Sequence, residues 1–172
     1  SFSPASLGGK AATIAERSAD PVVLPAGCYP VVLAPEAVAD ILDFLGYVGF
    51  GARAFAEGSS FMSASVGAQV MDGRISIADN ALSPGTVGLT FDFEGQPKHT
   101  TPLIEGGVAV GPVTDSYYAH ALGLPNTGHA LPAPNPYGPM PLNLEMAAGD
   151  VTEADMIASV ERGVYVTRIH YV

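Results

Sequence analysis

Four histidines, a single cysteine and 17 acidic residues are the material for chemistry in this chain. His99, His120, His129 and His170 are scattered, and no two stand three to five residues apart. A local zinc signature needs that spacing, because one turn of chain must present two ligands to one ion. A zinc site here would have to be assembled from distant segments. Ser116 and His120 are spaced i, i+4 with Asp115 beside them, so on a helix the hydroxyl and the imidazole could touch. A triad also needs an acid on the second imidazole nitrogen, and Asp115 points elsewhere. An N-cap role explains Asp115 better. Asp92 and Glu94 share one face of the extended stretch "FDFEG", as an acid pair or as a solvated edge. Asn126-Thr127-Gly128 lacks the aspartate of an aspartic-protease Asp-Thr-Gly. GxGxxG, GxxxxGK[ST] and GxSxG are all absent. Residue types and spacing alone define no active site. Cys28 has no internal disulfide partner and reads as a small apolar filler, which suits a reducing cytoplasm.

The elements that must position these residues follow from periodicity. A chain of 172 residues, 48% apolar, is long enough for one domain with a real core. A net charge of −10 repels phosphate backbones and anionic lipid, which argues against nucleic-acid and membrane partners. No apolar run approaches the ~20 residues of a membrane span, and the first residues lack a signal-peptide layout. They also lack an initiating Met, as in a processed chain or a fragment. A helix is expected over 8–19, with Ala12, Ile14 and Ala15 inward and Asp20-Pro21 ending it. A strand is expected over 29–33. Pro35 then opens a helix whose Val38, Ile41, Leu42 and Leu45 form one apolar stripe. Glu36, Asp40 and Asp43 fall on its other face, and Gly46 reads as its stop.

Beyond it the pattern is strand-rich. Arg74 to Ala78 and Leu89 to Phe93 alternate, and Glu105-Gly106-Gly107 signals a hairpin between 101–104 and 108–113. A short helix is expected over 115–122. His99 and His170 fall at strand positions. Leu124 to Pro141 holds six prolines and can be neither helix nor central strand. It is a long ordered loop or a covering arm. Extended structure returns at 142–146. Thr152-x-x-Asp155 opens a helix with Met156, Ile157 and Val160 inward, stopping at Gly163, and 164–172 is β-rich. The fold class is α+β, with mixed, mainly antiparallel sheets and two or three packed helices.

Six stretches occur in a telling order: "YPVVLAPEAVADIL", "GSSFM…GAQVMDGRISIADN", "LTFDFEGQPKHTTPLIEGGV", "DSYYAHALG", "NTGHALPAPN" and "ERGVYVTRIHYV". Together they resemble the C-terminal domain of the TldD/PmbA family, once labelled modulators of DNA gyrase and now regarded as metallopeptidases. The likeness is closer to the PmbA/TldE branch. It implies that residues 1–172 form a single domain, most of that C-terminal domain, with the family's N-terminal domain and last strands outside it.

In TldD-type members the helix after the "VVL-x-P" strand carries His-Glu-x-x-x-His, two metal ligands and a base that activates water. The resemblance sets Asp43, Phe44 and Val48 in that slot, which is then degenerate, so no catalytic or metal-binding residue carries over. It further implies a cytoplasmic chain without its own cofactor, zinc being held by an active TldD-type partner subunit. Partners would be that subunit or a second copy, and the substrates small or unfolded peptides. Asn126, His129, Pro134 and Tyr137 of the proline-rich arm are the candidate contacts to peptide or partner. The rival readings are an active metallopeptidase with dispersed ligands and a non-enzymatic, peptide-binding homo-oligomer.

Overall fold

The computed structural model describes residues 3–86 and 88–169. The chain divides after Pro30 into two compact units. In the first, α1 (Pro4–Arg17) starts on Ser3, whose hydroxyl accepts the N–H of Ser6, with proline in the first turn, where no helix bond is lost. No residue of α1 is buried. Ala12, Ile14 and Ala15, expected to face inward, are exposed. Val22 and Val23 are irregular and almost fully exposed. Cys28 is also exposed, which overturns its reading as core filler.

The second unit starts with β1 (Val31–Leu33), which begins later than expected. It pairs in parallel with β6 (Val164–Val166), Val31 against Val164. The last expected strand residues, 170–172, and with them His170, lie outside the described residues. Helix α2 (Pro35–Val48) follows, with Pro35 in its first turn. The stripe packs as periodicity requires: Leu42 is buried, and Val38 and Leu45 lie against the core. Gly46 is not its stop. The helix continues through it to Val48, and the glycine instead marks a close approach to Leu144: a Cβ there would sit 2.9 Å from Leu144 Cδ1. Short α3 (Ala52–Ala56) had no sequence signal strong enough to be expected.

The main sheet runs β4-β3-β2-β5, antiparallel throughout, from β2 (Ile77–Asp79), β3 (Thr101–Glu105), β4 (Val108–Ala109) and β5 (Leu144–Met146). Gly106 and Gly107 both have positive φ, 54° and 78°, the primed hairpin turn that their sequence announces. Leu42, Phe50, Met62, Ile77, Leu103, Ile104, Ala109 and Val113 form the core between α2 and this sheet. Helix α4 (Ser116–Leu122) is capped by Asp115, whose carboxylate accepts the N–H of Tyr118 at 2.8 Å. Helix α5 (Glu153–Ala158) is capped by Thr152 as the capping pattern implied. It ends well before Gly163, and Met156 and Ile157 are exposed rather than inward.

Leu89 to Phe93 is the clearest departure. It makes only an isolated bridge, Phe91 to Pro97, and its three apolar side chains face outward. The side chain that goes inward is Asp92. The alpha-plus-beta class holds, with five helices among the described residues, and no helix there is long and apolar enough to cross a membrane.

Candidate functional site

Helix α2 is the element on which a metal site would have to be built. Asp43, Phe44 and Val48 all lie on its exposed side. Tyr47, on the same side, stacks obliquely on Tyr137 of the proline-rich arm, with ring centroids 5.9 Å apart. The carboxylates were expected to be solvated, and Asp40 is not. Its Oδ1 lies 2.9 Å from Arg168 Nη2, and its Oδ2 accepts the N–H of Ile169 at 2.9 Å. Asp40 thus ties the helix to the segment after β6.

The His-Glu-x-x-x-His spacing can also be laid from the first helical residue. It then falls on Pro35, Glu36 and Asp40, which keeps the glutamate but puts proline and aspartate at the ligand places. Helix α2 has no histidine or cysteine at any position, so every register of the motif lacks its ligands. Among the described residues no three His, Cys, Asp or Glu side chains converge to hold an ion. The residues of α2 do not fit the nitrogen-rich donor set of a hydrolytic zinc site.

The polar centre of the molecule lies elsewhere. Asp79 on β2, Lys98 and His129 are all buried. Asp79 Oδ2 accepts the N–H groups of Leu142 and Asn143 at 2.8 and 2.7 Å. Asp79 Oδ1 lies 3.1 Å from His129 Nε2 and 3.9 Å from Lys98 Nζ. Neither approach meets hydrogen-bond geometry, so both contacts are electrostatic rather than aligned bonds. Burial pushes the Asp79 carboxyl upward, but His129, the Asn143 N–H and Lys98 together outweigh it and hold the group below its ordinary value.

On the other side of the ring, His129 Nδ1 is 2.9 Å from Thr127 Oγ1. Thr127 and Thr114 lock reciprocally: Thr114 N–H donates to Thr127 Oγ1 at 2.7 Å, and Thr127 N–H to Thr114 Oγ1 at 3.0 Å. No sequence spacing signals this cluster, because its members come from β2, a loop and the arm.

The proline-rich arm has neither helix nor strand, as its composition requires. It is more than a surface cover, since His129, Ala130 and Pro139 are buried. Asn126 is half-buried and its side chain accepts the N–H of Gly128, a local turn. Pro134 and Tyr137 are exposed. The arm also walls an open groove of about 420 Å³, whose other lining includes Arg53, Glu94, Asp115 and Tyr118.

The acid pair does not form. Asp92 is buried and accepts N–H bonds from Glu94, Gln96 and Ala130, while Glu94 accepts from Ser116 N. Both are structural caps. His120 and His99 are exposed, and His99 precedes β3 rather than lying in a strand.

A model of the PmbA/TldA metallopeptidase C-terminal domain matches residues 26–172. The chain therefore carries a metallopeptidase-related domain of α+β architecture over those residues. It belongs to the PmbA/TldD family. It is 34% identical over 148 residues to a protein named metalloprotease TldD homolog from Haemophilus influenzae, covering 84% of this chain and 29% of that one. A metalloprotease from Methanothermobacter thermautotrophicus is 26% identical over 82% of this chain and 31% of its own length. Among solved structures, a Thermotoga maritima protein described as a modulator of a DNA gyrase superposes with a TM-score of 0.79. It is 24% identical, over 87% of this chain and 34% of that one. TldE from Thermococcus kodakarensis gives 0.72 at 23% identity, over 84% and 33%. The chain thus spans roughly a third of each of these relatives.

Proposed function

We propose that this chain is a PmbA/TldE-like, non-catalytic component of a TldD-type metallopeptidase complex that degrades small or unfolded peptides in the cytoplasm. The observation that carries the reading is the composition of α2, the helix after the "VVL" strand, which holds no histidine or cysteine. In a metallopeptidase the attacking water is activated by an ion with an open coordination position and a base beside it. Zinc in this reading belongs to the partner subunit. The exposed apolar side of α2 and the arm, with Phe44, Tyr47, Val48 and Tyr137, supply a surface on which a subunit can seat. The net charge of −10 supports peptide rather than nucleic acid as the ligand.

The test joins metal analysis, peptidase assay and co-purification from the native cell. The expected result is little zinc on the isolated chain, no cleavage by it alone, and recovery of a TldD-like subunit with it. Stoichiometric zinc that is lost on His99→Ala, with cleavage by the isolated chain, would overturn the reading in favour of an active metallopeptidase. The name of the Haemophilus relative favours that second reading. A homo-oligomer that recovers no TldD-like chain would favour a stand-alone binder.

A further inference from the structure

The open groove of about 420 Å³ lies among α3, α4 and the proline-rich arm, and its arm wall is fixed. Asn135 donates through Nδ2 to the Gly138 carbonyl at 2.9 Å and accepts the N–H of Tyr137 at 2.8 Å. The arm passes so near α3 that a Cβ on Gly138 would sit 2.7 Å from Arg53 Cβ. A groove of this size, formed before any ligand arrives, has room for the first few residues of a peptide.

The charged groups of the groove are only partly spent. Arg53 gives its Nε to Glu57 at 2.8 Å, so its charge is offset, while its two terminal nitrogens have no partner among the described residues. Glu94 uses Oε2 on the N–H of Ser116 at 3.1 Å, and Asp115 uses Oδ1 on the N–H of Tyr118 at 2.8 Å. Each carboxylate keeps a second oxygen, and neither forms an ion pair among the described residues. The Tyr118 hydroxyl makes no hydrogen bond there either, and burial, the largest influence on it, raises its pKa and keeps it a donor. With Arg53 offset by Glu57, the two remaining carboxylates make the groove attractive to a cation.

We propose that the groove receives the free amino terminus of a peptide: its ammonium lies with Glu94 and Asp115, and the carbonyl beside it accepts from Arg53 or the Tyr118 hydroxyl. An ammonium and a carbonyl on neighbouring atoms distinguish the amino terminus from other peptide cations. A lysine side chain carries its ammonium several bonds from the nearest carbonyl, so it would use the acids and leave the donors idle. The inference rests on the preceding reading only in taking the ligand to be a peptide.

The test is titration calorimetry of the chain with Ala-Leu-Ala-amide, its acetylated form, and acetyl-Ala-Lys-Ala-amide. The free amine should bind about tenfold or more tightly than either blocked peptide, the scale of one charge-assisted hydrogen bond. Glu94→Gln and Asp115→Asn each keep an oxygen for the same backbone N–H, so the fold holds, and each should weaken binding of the free amine roughly fivefold or more. No binding of the free amine, equal binding of the acetylated form or of the lysine peptide, or unchanged affinity in both variants would overturn the proposal. The peptide comparison uses the unaltered chain, so it decides the matter even where a variant fails to fold. Binding is read with the peptide recovered intact, which keeps the result separate from whether the chain holds zinc, cleaves or recovers a partner.

Discussion

The carboxylate of Asp79, on β2, and the ring of His129, inside the proline-rich arm, meet 3.1 Å apart with neither side chain open to solvent. The same carboxylate holds the N–H groups of Leu142 and Asn143 where the arm runs into β5. One acid therefore clasps both ends of a segment that has no ladder or helix bonds of its own. The Thr114–Thr127 lock secures it once more, beside His129. A proline-rich run stays ordered here because its few polar groups are fixed from outside.

Asp79→Asn should destabilise the fold by roughly 3–5 kcal/mol, the range for removing one partner from a buried charge cluster. It leaves Lys98 without a compensating charge. Urea unfolding at neutral pH measures the loss, and a change under 1 kcal/mol would show that the clasp is incidental.

The pH dependence of that loss has a definite sign. Asp79 titrates below its ordinary value in the folded chain, so its ionised form contributes stability above the normal carboxylate range. That contribution is lost as pH falls below ~4 and through the lower folded value. The stability gap between wild type and Asp79→Asn should be constant from pH 7 to 5 and shrink in more acidic solution. Parallel stability curves down to pH 2 would contradict this.

Two glycines separate strain from crowding. Gly58 has φ 73° with open space beside it, so Gly58→Ala should cost about 1 kcal/mol, the low end for a left-handed alanine. Gly107 has φ 78°, and a Cβ there would strike the Gln69 side chain and the Met71 carbonyl and come within 2.7 Å of Asp72 O. Gly107→Ala should cost well over 3 kcal/mol, since backbone oxygens cannot step aside. Thermal unfolding of the two variants side by side tests the difference.

Helix α2 should divide cleanly by face. Leu42→Ala removes a buried side chain and should cost ~2–5 kcal/mol. Phe44→Ala, at an exposed position, should change stability by less than ~0.5 kcal/mol. If Phe44 belongs to a subunit interface, the same variant should weaken co-purification of the partner while leaving the melting temperature in place.

How far the sequence alone could be read depends on how local each cause is. The stripe of α2, the Gly106-Gly107 hairpin and the Asp115 and Thr152 caps are set by residues within a few positions of one another, and they appear where spacing placed them. The lack of any histidine on α2 is likewise a fact of sequence alone. Burial is not local. Ile14, Met156 and Ile157 carry a helical apolar pattern but remain exposed. Leu89, Phe91 and Phe93 alternate like a core strand, yet three backbone N–H groups claim Asp92 and turn that face inward. Gly46 looks like a stop and is instead a close approach to Leu144. The cluster of Asp79, Lys98 and His129 has no signature along the chain, because only folding brings β2, a loop and the arm to one point. Short-range sterics and hydrogen bonds are written in neighbouring residues, whereas which side chains lose water, and beside which charges, is decided by contacts between segments far apart in the chain.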